Sequence, residues 1–272
     1  MKEEMRMSTG LMNRLKWQEL LFVNGVAVHT DHQVQPGDRI TVKLAEPLPN
    51  YPAQQGQLTI LYEDDHILAV DKPAGMLIHP SRSRNTGTLA NRVLGYYAKT
   101  GQESAFHPIT RLDRDTFGVV LLAKNSHIHA LLNTLQGRDK LKKTYHALVY
   151  GSVATEGEID APIARNPLPS LLRHIDPSGK PARTLYRVLA QQPPVALLEL
   201  HPVTGRTHQL RVHCAYMGWP ILGDPQYGTA ESQQFSKEKG YATQMLCACR
   251  LEFSHPVTGK MLCIQTKYTM PY

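Results

Sequence analysis

This sequence predicts an α+β fold: a mixed, mainly antiparallel sheet flanked by a few helices and loops. Three observations carry that expectation. Apolar runs of strand length, rich in branched residues, recur along the chain, as in "GVVLLAK" from Gly118, "TYHALVYGSV" from Thr144 and "MLCACRLEF" from Met245. Few stretches hold a helical period for two turns or more. The strand-like segments of the second half follow one another almost without helices between them, which suits antiparallel neighbours.

In chain order, Leu11 and Leu15 mark the end of a helix, and "LFVNGVAVHTDHQVQPGDRITVKL" reads as short strands punctuated by Asn24-Gly25 and Pro36-Gly37-Asp38 turns. The stretch "PLPNYPAQQGQ" has three prolines and no periodicity, a linker composition. Residues 1–46 are therefore expected to form a small unit, 47–57 a linker and 58–272 the main domain. "LTILYEDDHILAVDKPAG" supplies two strands around an acidic turn and stops at Lys72-Pro73. Thr86 to Tyr97 fits a helix with Leu89, Val93, Leu94 and Tyr97 on one side and Thr86 or Thr88 as its cap. After the run at 118–124, Asn125 or Ser126 caps a helix whose Ile128, Leu131, Leu132 and Leu135 share a face. "TYHALVYGSV", "ARTLYRVL" and "VALLELHPVT" are strands, Thr207 to Met217 is a helix, and "MLCACRLEF" and "KMLCIQTKY" close the sheet. "HPVTG" occurs at 201–205 and again at 255–259, and shared turn chemistry explains it without duplication.

Thirty Lys and Arg against 23 Asp and Glu give a net charge of +7, which favours a polyanionic partner such as nucleic acid. Cys214, Cys247, Cys249 and Cys263 lack zinc-site spacing and read as reduced, cytosolic side chains. No apolar run approaches the roughly 20 residues of a membrane span, and residues 1–12 lack the apolar centre of a secretory signal. A cytoplasmic protein with no membrane association is expected.

The densest charge lies in "ITRLDRDTFG", Ile109 to Gly118, where two arginines and two aspartates precede a strand. Neither strand nor helix periodicity sorts these charges, so a loop at a strand end is expected, a common seat of chemistry; solvated ion pairs are the plain alternative. "GRTHQLRVH" places Arg206, His208, Arg211 and His213 at the start of a helix, whose free amides attract anions. By helical angle His208 and Arg211 flank the apolar face and stay partly buried. In "GRDKLKKTYHALVYG", Lys142 and Lys143 precede Tyr145, a pairing that suits a phosphate backbone and a stacked base. Arg82 and Arg84, in "DKPAGMLIHPSRSRNTGTL", offer a further basic grip.

The order DKPAG, HP, TGTL, then RLDRDTFGVVLLAKN, KKTYHALVYG and GRTHQLRVH followed by PILGD and YG resembles the RluA family of pseudouridine synthases, from about Leu58 to the C-terminus. "NRLKWQELLFVNGVAVHTDHQVQPGDRI" is similar to the later part of a small RNA-binding module shared with a small-subunit ribosomal protein, here without the preceding helix. The resemblance implies the pseudouridine synthase fold, a partial N-terminal RNA-binding module, whether trimmed in the protein or cut or misassigned at its start, and isomerisation of uridine in ribosomal or transfer RNA. It implies no metal and no cofactor, and a monomer is the expected state. The family's aspartate falls on Asp113, Tyr145 lies against the target base, Arg206 pairs with the carboxylate, and Leu246 lines the base pocket.

Physical chemistry supports such roles. A carboxylate attacks a sugar carbon or removes a proton only when ionised, a form that a neighbouring guanidinium favours. Breaking a glycosidic bond builds positive charge on the ribose, which a carboxylate stabilises. Covalent attack on sugar or base and proton abstraction are all open to Asp113. A stacked uridine must first be extruded, and Arg111 is placed to fill the vacancy or hold the flipped nucleotide. Tyr145 offers a flat face and a hydroxyl that could relay a proton. Asp115 is expected to anchor the loop with Thr116.

Three residues depart from the family pattern: Thr110 and Cys247 where histidine is usual, and Phe117 where serine is usual. Thr110 and Phe117, which flank the charged loop, are where specificity is expected to lie. The alternative class is a non-catalytic RNA-binding or ribosome-assembly factor on the same fold, against which the set Asp113, Tyr145 and Arg206 argues. A metal hydrolase is weaker, because His127 and His129 face different ways on a helix.

Overall fold

The computed structural model describes residues 20–44, 51–81, 83–136 and 141–272, with Met7, Gly10, Met12, Asn13 and Leu15. Gly10, Met12, Asn13 and Leu15 are helical, and Leu15 is buried with Met7 beside Val42 and Leu44; Leu11 lies outside the described residues. Strands β1 (Leu21–Val23), β2 (Val26–Ala27) and β3 (Ile40–Val42) form an antiparallel sheet ordered β2-β1-β3. The Asn24-Gly25 hairpin has positive φ at both residues, +50° and +85°, as a type I′ turn requires. Asn24 also donates to Asp38 at 2.7 Å and accepts from the Arg39 amide at 2.9 Å, so the two predicted turns brace each other.

The stretch 51–57 has no regular structure, yet it is fastened to the first helix of the main sheet's flank, α1 (Leu89–Thr100). The Gln54 amide donates to the Asn91 carbonyl at 2.9 Å, and the Asn91 side chain donates to the Pro52 carbonyl at 2.8 Å. Of the two predicted caps, Thr88 is the one used, in a reciprocal box with Asn91.

The main sheet comprises β4 (Thr59–Glu63), β5 (Ile67–Lys72), β6 (His107–Pro108), β7 (Phe117–Ala123), β8 (Lys142–Tyr150), β9 (Glu156–Asp160), β12 (Arg183–Gln192), β13 (Val195–Pro202), β14 (Leu246–Ser254) and β15 (Met261–Gln265); β10 (Ile163–Arg165) and β11 (Arg173–Ile175) form a separate hairpin. The order is β4-β5-β7-β14-β8-β13-β12-β9, with β15 on β14 and β6 on β7. Every described pairing in it is antiparallel except β7 with β14. The predicted mixed, mainly antiparallel α+β architecture is therefore what forms.

Strand β7 and residues Ile67–Val70 of β5 are apolar because both faces are covered. Leu68, Val70, Val120 and Leu122 pack with Leu89, Val93 and Tyr97 of α1. Their alternates Ile67, Ala69, Val119 and Leu121 pack with Ile128 and Leu132 of α2 (Ser126–Gln136) and with Leu251 and Phe253. Asn125 accepts from the Ile128 amide at 2.9 Å, so it, not Ser126, caps α2. The third helix, α3 (Gln209–Tyr216), buries Leu210 and Cys214 against β8, β13 and β14. A fourth, α4 (Ala230–Glu238), was not expected: "AESQQFSKE" has one large apolar residue and shows no stripe, but Thr229 caps it by accepting from the Ser232 amide.

Gly118 allows the parallel junction. Its φ is +110°, and a Cβ there would stand 2.3 Å from the Ala248 carbonyl oxygen. Gly118→Ala is expected to cost at least about 2 kcal/mol through strain and overpacking, read as a lowered urea midpoint with unchanged m-value.

A candidate active site at the parallel junction

The β7–β14 pairing sets Phe117 beside Cys247 and Gly118 beside Ala248, and Ala248 in turn faces Tyr145 of β8. The loop preceding β7 is thereby carried to the ends of β8 and β14 and to the start of α3. A cleft of about 450 Å³ opens there, and Arg111, Asp113, Lys143, Tyr145, Arg206, His208, Arg211 and Leu246 all line it. Eight residues singled out from the sequence thus meet in one place. Arg84 and Lys142 are exposed and do not line the cleft, and Arg82 lies outside the described residues.

The charged loop is held from three sides. Thr110 is buried and its hydroxyl accepts from the Leu121 amide at 2.9 Å. Thr116 is buried and bonds the Gln244 side chain. The wholly buried Lys72 ammonium donates to the carbonyls of Pro73, Met76 and Arg114 at 3.0, 2.8 and 2.8 Å. Burial lowers its pKa to about 8, against the opposing pull of Asp115 and Asp113. Asp115 does not anchor the loop with Thr116 as expected; Arg114, its neighbour, grips both of its oxygens.

Asp113 projects into the cleft, partly exposed, and its Oδ2 accepts from Arg211 Nη1 at 3.1 Å. This corrects the expected pairing with Arg206. The Arg206 side chain is exposed and its Nε donates to the Pro181 carbonyl at 2.9 Å, before the helix begins. Arg211 lies in the first turn of α3, is only 5 % exposed, and is held rigidly: its Nε and Nη2 grip Asp224 at 2.6 and 2.9 Å, and Nη2 also donates to Gln226 at 2.7 Å. The planar guanidinium fork grips Asp224 at two points while Nη1 meets Asp113, a fixed geometry that a lysine does not reproduce. Both Arg211 and His208 line the cleft, but the helical-angle reading applies to Arg211 alone, because His208 lies outside the helix.

His208 precedes α3 in the left-handed region, with φ +58°. Its Nε2 stands 3.9 Å from Asp113 Oδ2, and its Nδ1 is 2.8 Å from the Tyr227 hydroxyl. That hydroxyl also accepts from the Arg173 amide at 2.9 Å. Burial lowers the pKa of His208, as it does for His79 and His213. Folded values below the unfolded ones mean that these imidazoles stabilise the fold above about pH 6.5, and the contribution is lost as pH falls toward the folded values. Urea midpoints are therefore expected to fall between about pH 7.5 and about pH 5.5.

Gln209 completes the wall. Its Oε1 accepts from the Arg206 amide at 3.0 Å and the Thr204 hydroxyl at 2.7 Å, while its Nε2 donates to the Arg183 carbonyl and the Thr184 hydroxyl. Tyr145 is half-buried, between two core clusters, and burial with the nearby Asp113 raises its pKa, keeping the hydroxyl protonated. Phe117 does not line the cleft; its ring meets Tyr268 edge-on at 5.3 Å. Sequence reasoning gave no role to Asp224, Tyr227 or Lys72, although "PILGDPQYG" and "DKPAG" contain them; the signal was a lone carboxylate after an apolar run and a lysine ending a buried strand.

Among the described residues, no group of three or more His, Cys, Asp or Glu side chains is placed to hold a metal ion, and no helix is long and apolar enough to cross a membrane. What the cleft offers is one carboxylate with a fixed cation, beside an aromatic face and an apolar floor.

Similarity to known proteins points to RNA modification. The family described as RNA pseudouridylate synthase matches residues 66–216, and the chain belongs to that family, as a pseudouridine synthase of the RluA type. The enzyme is therefore an isomerase acting on RNA. It is 36% identical over 249 residues to the uncharacterized RNA pseudouridine synthase YjbO of Bacillus subtilis, covering 88% of this chain and 83% of that one. It is 37% identical over 251 residues to ribosomal large subunit pseudouridine synthase D of Nitrosomonas europaea, covering 90% and 72%. The solved structure of human RNA pseudouridylate synthase domain containing 1 superposes with a TM-score of 0.65 at 27% identity, over 80% of this chain and 86% of that one.

Proposed function

We propose that Asp113 is the reacting group of this synthase and that large-subunit ribosomal RNA is its substrate, with transfer RNA the second choice. The observation that carries the assignment is the Asp113–Arg211 contact in a cleft walled by Tyr145 and Leu246. In the isomerisation the bond from ribose to uracil N1 breaks, a bond from the same carbon to uracil C5 forms, the C5 hydrogen leaves to water and N1 takes one up. No electrons are gained or lost. Asp113, paired with Arg211, faces the sugar and base where positive charge develops. Tyr145 supports the uracil face, Leu246 the floor, and the exposed Arg111 occupies the stack that the uridine leaves, an extrusion costing a few kcal/mol. Arg206 and Lys143 contribute positive charge at the rim for the backbone.

Ribosomal RNA is favoured because several relatives of the chain bear the name ribosomal large subunit pseudouridine synthase D. The three-stranded sheet of residues 21–42, with its two braced turns, is consistent with an RNA-binding module ahead of a catalytic domain from Leu58 onward. The test is to incubate the purified protein with transcripts of host large-subunit ribosomal RNA and transfer RNAs and to map pseudouridine at single-nucleotide resolution. Modification of the ribosomal transcript is expected; modification of transfer RNA alone would replace the substrate, and none on either would overturn the reading.

A further inference from the structure

Beside the active cleft lies a second cavity, of about 540 Å³, between the β10–β11 hairpin and the loop that leads into α3. The two cavities share Gly205, Arg206 and Thr207 as a common wall. Arg165, Arg173, Lys180 and Arg206 line the second one, and no carboxylate does. None of these four belongs to an ion pair among the described residues.

The register of the hairpin sharpens the point. Arg165 and Arg173 are direct partners across β10 and β11, and like charges set opposite one another destabilise a strand pair. Nothing in the hairpin offsets them: Asp176, the carboxylate just after β11, accepts from the Ser178 amide and hydroxyl at 2.7 and 2.6 Å and pairs with His174 at 3.7 Å. The cavity is built to stay open and rigid. Gly179 lies so close to β10 that a Cβ would stand 2.5 Å from the Ile163 carbonyl carbon, and the Ile163 and Lys180 backbones exchange two bonds of 2.9 Å. Arg173 is fixed by bonds from Nη1 to the Leu171 and Leu172 carbonyls, at 2.8 and 3.0 Å, and its amide bonds the Tyr227 hydroxyl, which touches His208.

We propose that this cavity binds the ribose-phosphate backbone of the RNA strand next to the target uridine. Four cations around an open, rigid hollow that joins the reactive cleft fit one or two phosphates, and an anion between Arg165 and Arg173 relieves their repulsion. The site holds the strand while Arg111 and Tyr145 handle the extruded nucleotide. This rests on the proposed function, since it takes the occupant of the adjoining cleft to be a uridine in RNA.

The test uses Arg165→Ala/Lys180→Ala, two exposed positions outside the reacting group's surroundings, and a charge-matched control, Lys99→Ala/Lys260→Ala, on distant exposed positions. Binding to a fluorescein-labelled RNA hairpin with uridines in its loop is followed between roughly 50 and 200 mM salt. The cavity variant is expected to flatten the slope of log affinity against log salt by about 1 to 2, near one counterion for each phosphate that the variant no longer neutralises. It is also expected to raise KM about tenfold on the ribosomal transcript with kcat unchanged, whereas the control shifts neither. An unchanged slope in the cavity variant, or an equal flattening in the control, overturns the proposal. The binding slope is read whether or not the wild type forms pseudouridine, so failure of the functional reading and failure of the cavity are separate results.

Discussion

Arg211→Ala is expected to lower both stability and activity, the first by about 3 to 5 kcal/mol, because removing one partner of a buried ion pair strands the other. Asp224 has a fully buried side chain and loses both bonds from Arg211, the only cation paired with it among the described residues, keeping the Gln226 and Tyr227 amides on Oδ1, and Asp113 loses its cation in the same step. The loss is measured by urea denaturation. Arg211→Lys separates the two roles. It keeps the charge but cannot fork between Asp224, Asp113 and Gln226, so it is expected to recover part of the stability. Its rate stays on the order of 10²-fold low, the scale on which small misplacements of a reacting group act. Rates are compared at a temperature where each variant is folded. Arg206→Ala, by contrast, is expected to leave stability nearly unchanged, since that side chain is exposed and makes one bond to a carbonyl. If Arg206→Ala lost stability as Arg211→Ala does, the exchange of roles between the two arginines would be wrong.

Asp113→Asn is expected to lose on the order of 10⁴-fold in kcat, the scale seen when a single essential group is removed. An amide of the same shape still accepts from Arg211 Nη1, so the loop, tied by Thr110, Thr116 and Lys72, keeps its place. RNA affinity is expected to hold within about threefold, because Asp113 is not among the cations that meet phosphate. The loss then falls on kcat and not on KM. A fall in affinity matching the fall in rate would make Asp113 a binding residue.

Much of this site was legible because its residues cluster in short motifs whose chemistry is unusual for surface loops. "RLDRDTFG", "KKTYHALVYG" and "GRTHQLRVH" each contributed residues that the fold brings into one cleft. Which of two arginines five positions apart meets the carboxylate was not legible. It depends on α3 starting at Gln209 and on Asp224, a residue that approaches only through the tertiary fold and holds Arg211 inward. The parallel pairing of β7 with β14 was equally hidden, since an apolar run buried on both faces carries no sign of its neighbour's direction. Helix α4 escaped because its cap and local hydrogen bonds, not an apolar stripe, define it.

The residues that depart from the family pattern are clearer in space than in sequence. Phe117 and Cys247 are partners across the parallel junction, so serine and histidine are replaced together at one contact, with Tyr268 covering it. Thr110 serves the loop's own architecture through the Leu121 amide. Of the two positions where specificity was expected, Thr110 alone reaches the cleft wall.

Because C5 of uracil must give up its hydrogen for a carbon to join the ribose, the most direct measurement is single-turnover tritium release from ribosomal RNA labelled at uridine C5. Wild type is expected to release one tritium for each pseudouridine mapped, and Asp113→Asn to bind the same RNA and release essentially none in that time. Release by Asp113→Asn at the wild-type rate would contradict the assignment of the reacting group.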